Sequence, residues 1–437
     1  MFQSFRNIFK IPELRKRILF TLGILIVYRL GGHISSPGIN AGALQEFFEA
    51  AKGSLFGLYD MFAGGNLSRA TIFALGIMPY ISASIIIQLL GAVLPYFQKL
   101  QREGEEGRRK ITQYTRYGTV LISAMQAFGT SLWLESLTTA SGAMVVPNPG
   151  VGFKLLTMIT LTCGTIFIMW LGEQITERGI GNGISLIIFI GVIARLPGAV
   201  LGEAQQFLAG YRNLLSELLI LTVVFVVVAA IVLVTRSQRK IPVHYGQKIY
   251  GRRMRRSFRT HLPLSVNTAG IIPIIFAQSI MFAPSTFTTF FPNSEVMQEF
   301  AGYFQPNALL YNIIYGLMIV FFAYFYTAIA VNPVDMADRI AREDGKIPGV
   351  RPGKRTSEYI DRVLTRITLP GAIFFALIAV TPTLMASSFH VAFYFGGTGL
   401  LIVVGVALDT LQQIEAHLLE RHYEGFMKKA RLKGRYA

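Results

Sequence analysis

Ten stretches of this chain are apolar over close to the length a bilayer demands, and they dominate what it can fold into. They lie near residues 18–34, 70–94, 117–134, 155–172, 184–201, 214–234, 267–287, 307–331, 367–387 and 391–408. A helix needs about 20 apolar residues to cross hydrocarbon, and it satisfies its own backbone hydrogen bonds while doing so. The chain therefore reads as an all-α polytopic membrane protein. Of its 437 residues 52% are hydrophobic and 15% charged, yet the formal net charge is +17. Both facts hold together only if the charges are confined to the loops.

The basic residues alternate from loop to loop. Five precede the first stretch, six follow the second, nine follow the sixth, eight follow the eighth and six lie in the tail. The intervening set holds only Lys52, Arg69, Arg195 and Arg212. By the positive-inside rule both termini are expected to be cytoplasmic, which requires an even number of spans. The first apolar run is followed by polar sequence without a small-residue cleavage pattern, so no cleavable signal peptide is expected. Cys163 is the one cysteine, which leaves no internal disulfide and no cysteine-based metal site.

A phrase occurs twice. Residues 76–83 read Gly-Ile-Met-Pro-Tyr-Ile-Ser-Ala and residues 270–277 read Gly-Ile-Ile-Pro-Ile-Ile-Phe-Ala. Gly76 with Pro79, and Gly270 with Pro273, interrupt helices where lipid penalises free backbone groups. Five spans precede the external loop near 202–213 and five follow it. The phrase falls in the second span of each five, and those two spans run in opposite directions. An inverted repeat is the expectation, with the interrupted spans marking the site of passage. The domains expected are 1–201, the external hinge loop 202–213, and 214–437.

Residues 55–70 are half apolar but carry Asp60, Asn66 and Arg69. Two readings fit them: a re-entrant segment inside protein, where irregular backbone is tolerated at membrane depth, or an amphipathic stretch on the outer surface. Two cytoplasmic loops, 235–266 and 332–366, are longer and more basic than topology requires. The first contains alternating Val-His-Tyr and Lys-Ile-Tyr, which predict a short hairpin. Such loops suit an acidic protein face or RNA, and equally anionic lipid headgroups.

Enzymatic signatures are missing. Gly349 to Lys354 spaces its glycines too closely for a phosphate loop, and Arg355 stands where Ser or Thr is needed. Gly179-Ile-Gly181-Asn-Gly183 follows a membrane span rather than a buried strand, against a dinucleotide fingerprint. No catalytic residue, metal site or cofactor is expected. The rival function is a secondary transporter of a small solute. Such carriers place carboxylates at mid-membrane, and the spans here are nearly free of them.

Several runs resemble the SecY family of protein-conducting channels: NLSRATIFALGIMPYISASIIIQLL at 66–90, EGRRKITQYTRYGT at 106–119, WLGEQITERGIGNGIS at 170–185, IPGVRPGKRTSEYIDRV at 347–363 and FYFGGTGLLIVVGVALDT at 393–410. The resemblance implies ten helices in two pseudosymmetric five-helix halves around an hourglass pore. It implies a bacterial inner-membrane channel that translocates unfolded preproteins and releases apolar segments into lipid. The implied partners are the small membrane subunits SecE and SecG, the SecA motor ATPase, the ribosome with its RNA, signal peptides and membrane lipids.

Carried over residue by residue, the family's pore ring falls on Ile77, Ile81, Ile184, Ile188, Ile275 and Ile402. Its plug falls on Asp60, Met61, Phe62, Ala63, Gly64, Gly65, Asn66, Leu67, Ser68 and Arg69. Its motor and ribosome contact falls on Arg351, with Arg252 and Arg253. Polar residues unusual for lipid, Ser82, Ser84, Gln126 and Gln278, are candidates for a lateral gate.

Overall fold

The computed structural model describes residues 11–50, 55–137, 142, 144–210, 213–245, 249–250, 253–254, 259–290, 294, 296, 299, 302–305, 308–389 and 397–433. Helix occurs in each of the ten expected stretches. Among the described residues six helices are long and apolar enough to cross a membrane, or seven if a bent pair counts as one span. The first, third and seventh expected spans fall on Pro12–Gly31, Glu105–Ser136 and Ile272–Met281. The first two carry charged N-terminal turns, and the third is short. The chain divides into two compact units.

One unit comprises the described residues of Met1–Glu203, Ser279–Tyr311 and Val406–Ala437. It begins with α1 (Pro12–Gly31), where Pro12 occupies the first turn, Glu13 lies near the positive end of the helix dipole and Arg29 near the negative end. Short helices α2 (Ala41–Ala50) and α3 (Leu55–Phe62) follow. Turns occupy 63–77 before α4 (Met78–Val93), which meets α5 (Pro95–Arg102) at 98°. Pro95 explains the bend, because its ring cannot continue the preceding helix. Helix α6 (Glu105–Ser136) has 32 residues, a length of about 48 Å. It therefore outruns the ~30 Å hydrocarbon and carries its charged first turns beyond it.

Helices α7 (Val151–Arg178), α8 (Gly183–Ile193) and α9 (Leu196–Leu208) complete the run. The glycine-rich link 179–183 is a helix junction. The Asn182 carboxamide oxygen accepts from the backbone N–H of Ile184 at 3.1 Å and of Ser185 at 3.2 Å, a side-chain cap for α8.

The other unit comprises the described residues of Ala204–Gln278 and Asn312–Gly405. Helix α10 (Leu214–Arg236) leaves Leu218, Leu221, Phe225, Val226 and Leu233 exposed, as lipid requires. The basic loops then fold together. Strand β1 (Gln238–Tyr245) pairs antiparallel with β4 (Arg259–Ser265), placing Val243 opposite Thr260, and with β5 (Gly345–Lys346), placing His244 opposite Lys346. The predicted hairpin therefore has a different partner. β2 (Ile249–Tyr250) pairs with β3 (Arg253–Met254) instead. Local spacing pointed to the nearest alternating run, whereas burial of Ile241 and Val243 selects β4.

Those residues pack with Leu264, Ile340, Ile347, Ile360 and Leu364 into a small core. It joins the sheet to α14 (Pro333–Arg342) and the start of α15 (Lys354–Phe389). Helices α11 (Ile272–Met281), α12 (Ala283–Phe290), α13 (Leu309–Ala330) and α16 (Gly397–Lys433) complete the order.

The repeated phrase has one conformation in both places. Gly76 has φ +58° and Gly270 φ +64°, and a helix starts within two residues of each. Only glycine adopts this backbone freely. Pro79 and Pro273 lie in the first turns of those helices, where the missing N–H costs nothing. The phrase thus starts a helix inside an apolar stretch rather than kinking a continuous one.

Candidate functional site

Residues 60–69 lie in a seat buried within the first unit. Tyr59 to Leu67 are buried, and Ser68 and Arg69 half-buried. Of the two readings open from sequence, burial inside protein is the one found. Helix α3 ends at Phe62, and Gly64 (φ +75°) and Gly65 (φ +80°) turn the chain back.

Polar groups hold this turn from several sides. Asp60 accepts from the Ser68 N–H at 2.9 Å and forms an ion pair with Arg195. The Asn66 carboxamide donates to Ala63 O at 2.6 Å and to the Tyr28 hydroxyl oxygen at 3.2 Å. Arg29 donates to Gly64 O at 3.4 Å. Tyr59 donates its hydroxyl proton to Leu75 O at 3.0 Å, which ties the start of the segment to the repeated phrase. A Cβ on Gly76 would stand 3.2 Å from Ala63 Cα. Arg69 lies 3.4 Å from His33 Nε2.

Aromatic rings close the seat. Phe62 and Tyr59 meet Phe282 edge-on at 5.7 and 5.5 Å, and Tyr28 stacks on Phe73 at 5.8 Å. Arg195, Tyr28 and Phe282 were invisible as seat residues in the sequence. In the sequence Arg195 is one external charge among four, and its partner lies 135 positions away.

The six isoleucines divide between the units. Ile77, Ile81 and Ile188 are buried and Ile184 half-buried in the first. Ile275 and Ile402 are buried in the second. Ile77 caps the start of α4 and Ile81 sits on its first turn. Among the polar candidates, Ser84 accepts from Gln88 within its own helix at 3.0 Å, and Ser82 is half-buried. Gln126 is half-buried with Oε1 lacking a hydrogen-bond partner among the described residues, and Gln278 is buried.

Arg351 is exposed on a turn flanked by Gly349 (φ +78°) and Gly353 (φ +92°). Its carbonyl accepts from the Thr356 hydroxyl at 2.9 Å, and the neighbouring Ile347 is anchored in the core of the sheet module. Within that module Tyr245 is raised above the usual phenol range, by burial first and then by Glu343. Arg253 lies in β3, while Arg252 lies outside the described residues. Among the described residues no cluster of His, Cys, Asp or Glu has the makings of a metal site.

These features define a polytopic helical membrane protein with a buried turn beside one interrupted span and a packed basic module. The sequence model of the SecY family matches residues 71–411, and the chain belongs to that family. It is 45% identical over 430 residues to protein translocase subunit SecY of Aquifex aeolicus, covering 98% of this chain and all of that one. It is 46% identical over 425 residues to protein translocase subunit SecY of Escherichia coli K12, covering 97% and 96%. A solved structure described as that of a protein-conducting channel shares the fold with a TM-score of 0.67 at 20% identity, covering 94% of this chain and 96% of that one.

Proposed function

We propose that this chain is the channel-forming subunit of a protein translocase. It moves unfolded preproteins across the membrane and releases apolar segments sideways into lipid. The observation that carries this reading is its near-full-length similarity to subunits named for protein translocation. In this reading residues 1–201 and 214–437 are the two halves, joined by the external hinge at 202–213. The six isoleucines form the constriction, and Asp60–Arg69 is a movable plug on its outer side. The spans bearing the repeated phrase line the lateral gate, with Ser82, Ser84, Gln126 and Gln278 along it.

The membrane is the bacterial cytoplasmic membrane, with both termini in the cytoplasm. The chain performs no chemistry of its own. Arg351, Arg252 and Arg253 dock the SecA motor ATPase or a translating ribosome, and SecE and SecG complete the complex. Support for docking comes from the exposed arginine held on a packed module, since a rigid mount keeps its charge in one place for a partner.

The test is reconstitution of the complex in vesicles. ATP-dependent uptake of an unfolded preprotein, requiring the motor, is expected. Uptake of a small solute driven by an ion gradient, with no preprotein movement, would establish the carrier reading instead.

A further inference from the structure

One ion pair in the seat differs in kind from its other contacts. Asn66, Tyr28 and Tyr59 hold the segment by neutral hydrogen bonds. Asp60 holds it by charge. One carboxylate oxygen accepts from the Ser68 N–H at 2.9 Å, which closes the segment on itself across eight residues. The other pairs with Arg195, which lies in the turn between α8 and α9. The guanidinium lies against Gly65, where a Cβ would stand 3.3 Å from Nη2. The two partners differ in exposure: the Asp60 side chain is 3% exposed and that of Arg195 37%.

We propose that the Asp60–Arg195 pair is the latch that sets how readily residues 60–69 leave their seat. This rests on the reading of that segment as a movable stopper. Seated, the carboxylate lies where water cannot hydrate it, and the arginine compensates its charge. When the segment swings outward, Asp60 regains water and Arg195, already part-solvated, loses little. The pair therefore offsets the cost of seating a charged Asp60 without making departure prohibitive. An apolar contact of similar size would carry no such asymmetry, because it would have no charge to strand.

The asymmetry gives an ordered expectation. Arg195→Gln leaves a buried carboxylate uncompensated, the costly half of breaking such a pair. Asp60→Asn removes that charge, keeps an oxygen for the Ser68 N–H and leaves Arg195 to solvent. Resting conductance of the purified complex in planar bilayers is the readout. Arg195→Gln should raise it by about tenfold or more, and Asp60→Asn a few-fold at most. The double variant should resemble Asp60→Asn rather than exceed Arg195→Gln, because neutralising Asp60 removes what was stranded. Arg195→Lys, which keeps the charge, should stay nearly tight.

Deletion of residues 60–69 separates the stopper from its latch. If the deletion leaves the resting channel tight, the stopper reading fails and the latch with it. If the deletion leaks while Arg195→Gln stays tight, the latch alone is overturned. The same holds if Arg195→Lys leaks as much as Arg195→Gln, or if the double variant leaks more than either single one.

Discussion

Gly64 and Gly191 face each other so closely that a Cβ on Gly64 would stand 3.0 Å from the Gly191 Cα, and one on Gly191 3.1 Å from the Gly64 Cα. One glycine belongs to the buried turn and the other to α8. Their missing side chains let the segment lie directly on the helix backbone. Gly64 also has φ +75°, which L side chains resist.

Gly191→Val is expected to push the segment off that helix. Overpacking costs about 1–3 kcal/mol, enough to shift a seated-to-unseated equilibrium by roughly five- to a hundredfold. Resting conductance should rise accordingly. Gly198→Val provides the comparison, since a Cβ there meets nothing within 4 Å. Equal leakage from both variants would remove the contact from the account.

Arg351→Glu should abolish motor-driven transport while the channel stays folded. The side chain is exposed, and its turn is held through backbone contacts, so the fold has little reason to respond. Motor affinity measured at two ionic strengths should fall with salt in the parent, because exposed charges are screened beyond about 10 Å at 0.1 M. Normal transport by Arg351→Glu would count against docking there.

Ile360→Ala reaches the same surface by another route. Ile360 is 0% exposed at the centre of the sheet module, and truncation of a buried isoleucine costs about 2–5 kcal/mol. The module should become sensitive to protease near residues 238–265, and motor affinity should drop although no basic residue has changed. Unchanged cleavage and unchanged affinity together would mean the module is not the mount.

The sequence disclosed the broad architecture because lipid imposes length and charge rules that individual residues cannot evade. Gly76 and Gly270 were legible for the same reason: a left-handed glycine followed by proline leaves a mark that repeats. Helix limits were read too short at α6, since the apolar window stops at residue 117 while the helix continues back to Glu105. The polar turns there are simply outside the bilayer. Two things were not legible at all. Asp60 finds Arg195 far along the chain, and Val243 finds Thr260 across an intervening basic loop. Both pairings are decided by burial and charge in three dimensions, and no local spacing encodes them.

A disulfide between α4 and α11 should block signal-sequence insertion if these helices border the gate toward lipid. Each begins at its own Gly-Ile-x-Pro phrase, so each has a weak point about which it can swing. Cys163, exposed and unpaired, would first be replaced by Ser. Introduced cysteine pairs in the two helices are then oxidised, and insertion of a signal sequence is followed before and after reduction. Insertion that is the same in both conditions would sink the gate.

The constriction carries the strongest demand. A pore wide enough for an unfolded chain has to retain ions when idle. A charged ring would attract them, whereas a narrow apolar one dewets and excludes them. Isoleucine suits the task because branching at Cβ stiffens χ1, so a ring of such side chains keeps its shape. It also yields to a passing chain, since its contacts are dispersive and worth only ~0.1–0.2 kcal/mol per atom pair. Ile77 caps α4 and Ile81 lies on it, Ile184 and Ile188 lie on α8, and Ile275 and Ile402 come from the other unit. Replacing several of the six by Ser should raise resting conductance and relax the requirement for a strong signal sequence. The effect should grow when Asp60–Arg69 is also deleted, because ring and segment would then fail together. Planar-bilayer recording of the polar-ring variant, with and without the deletion, decides the matter: a channel that stays as tight as the parent in both places the constriction elsewhere.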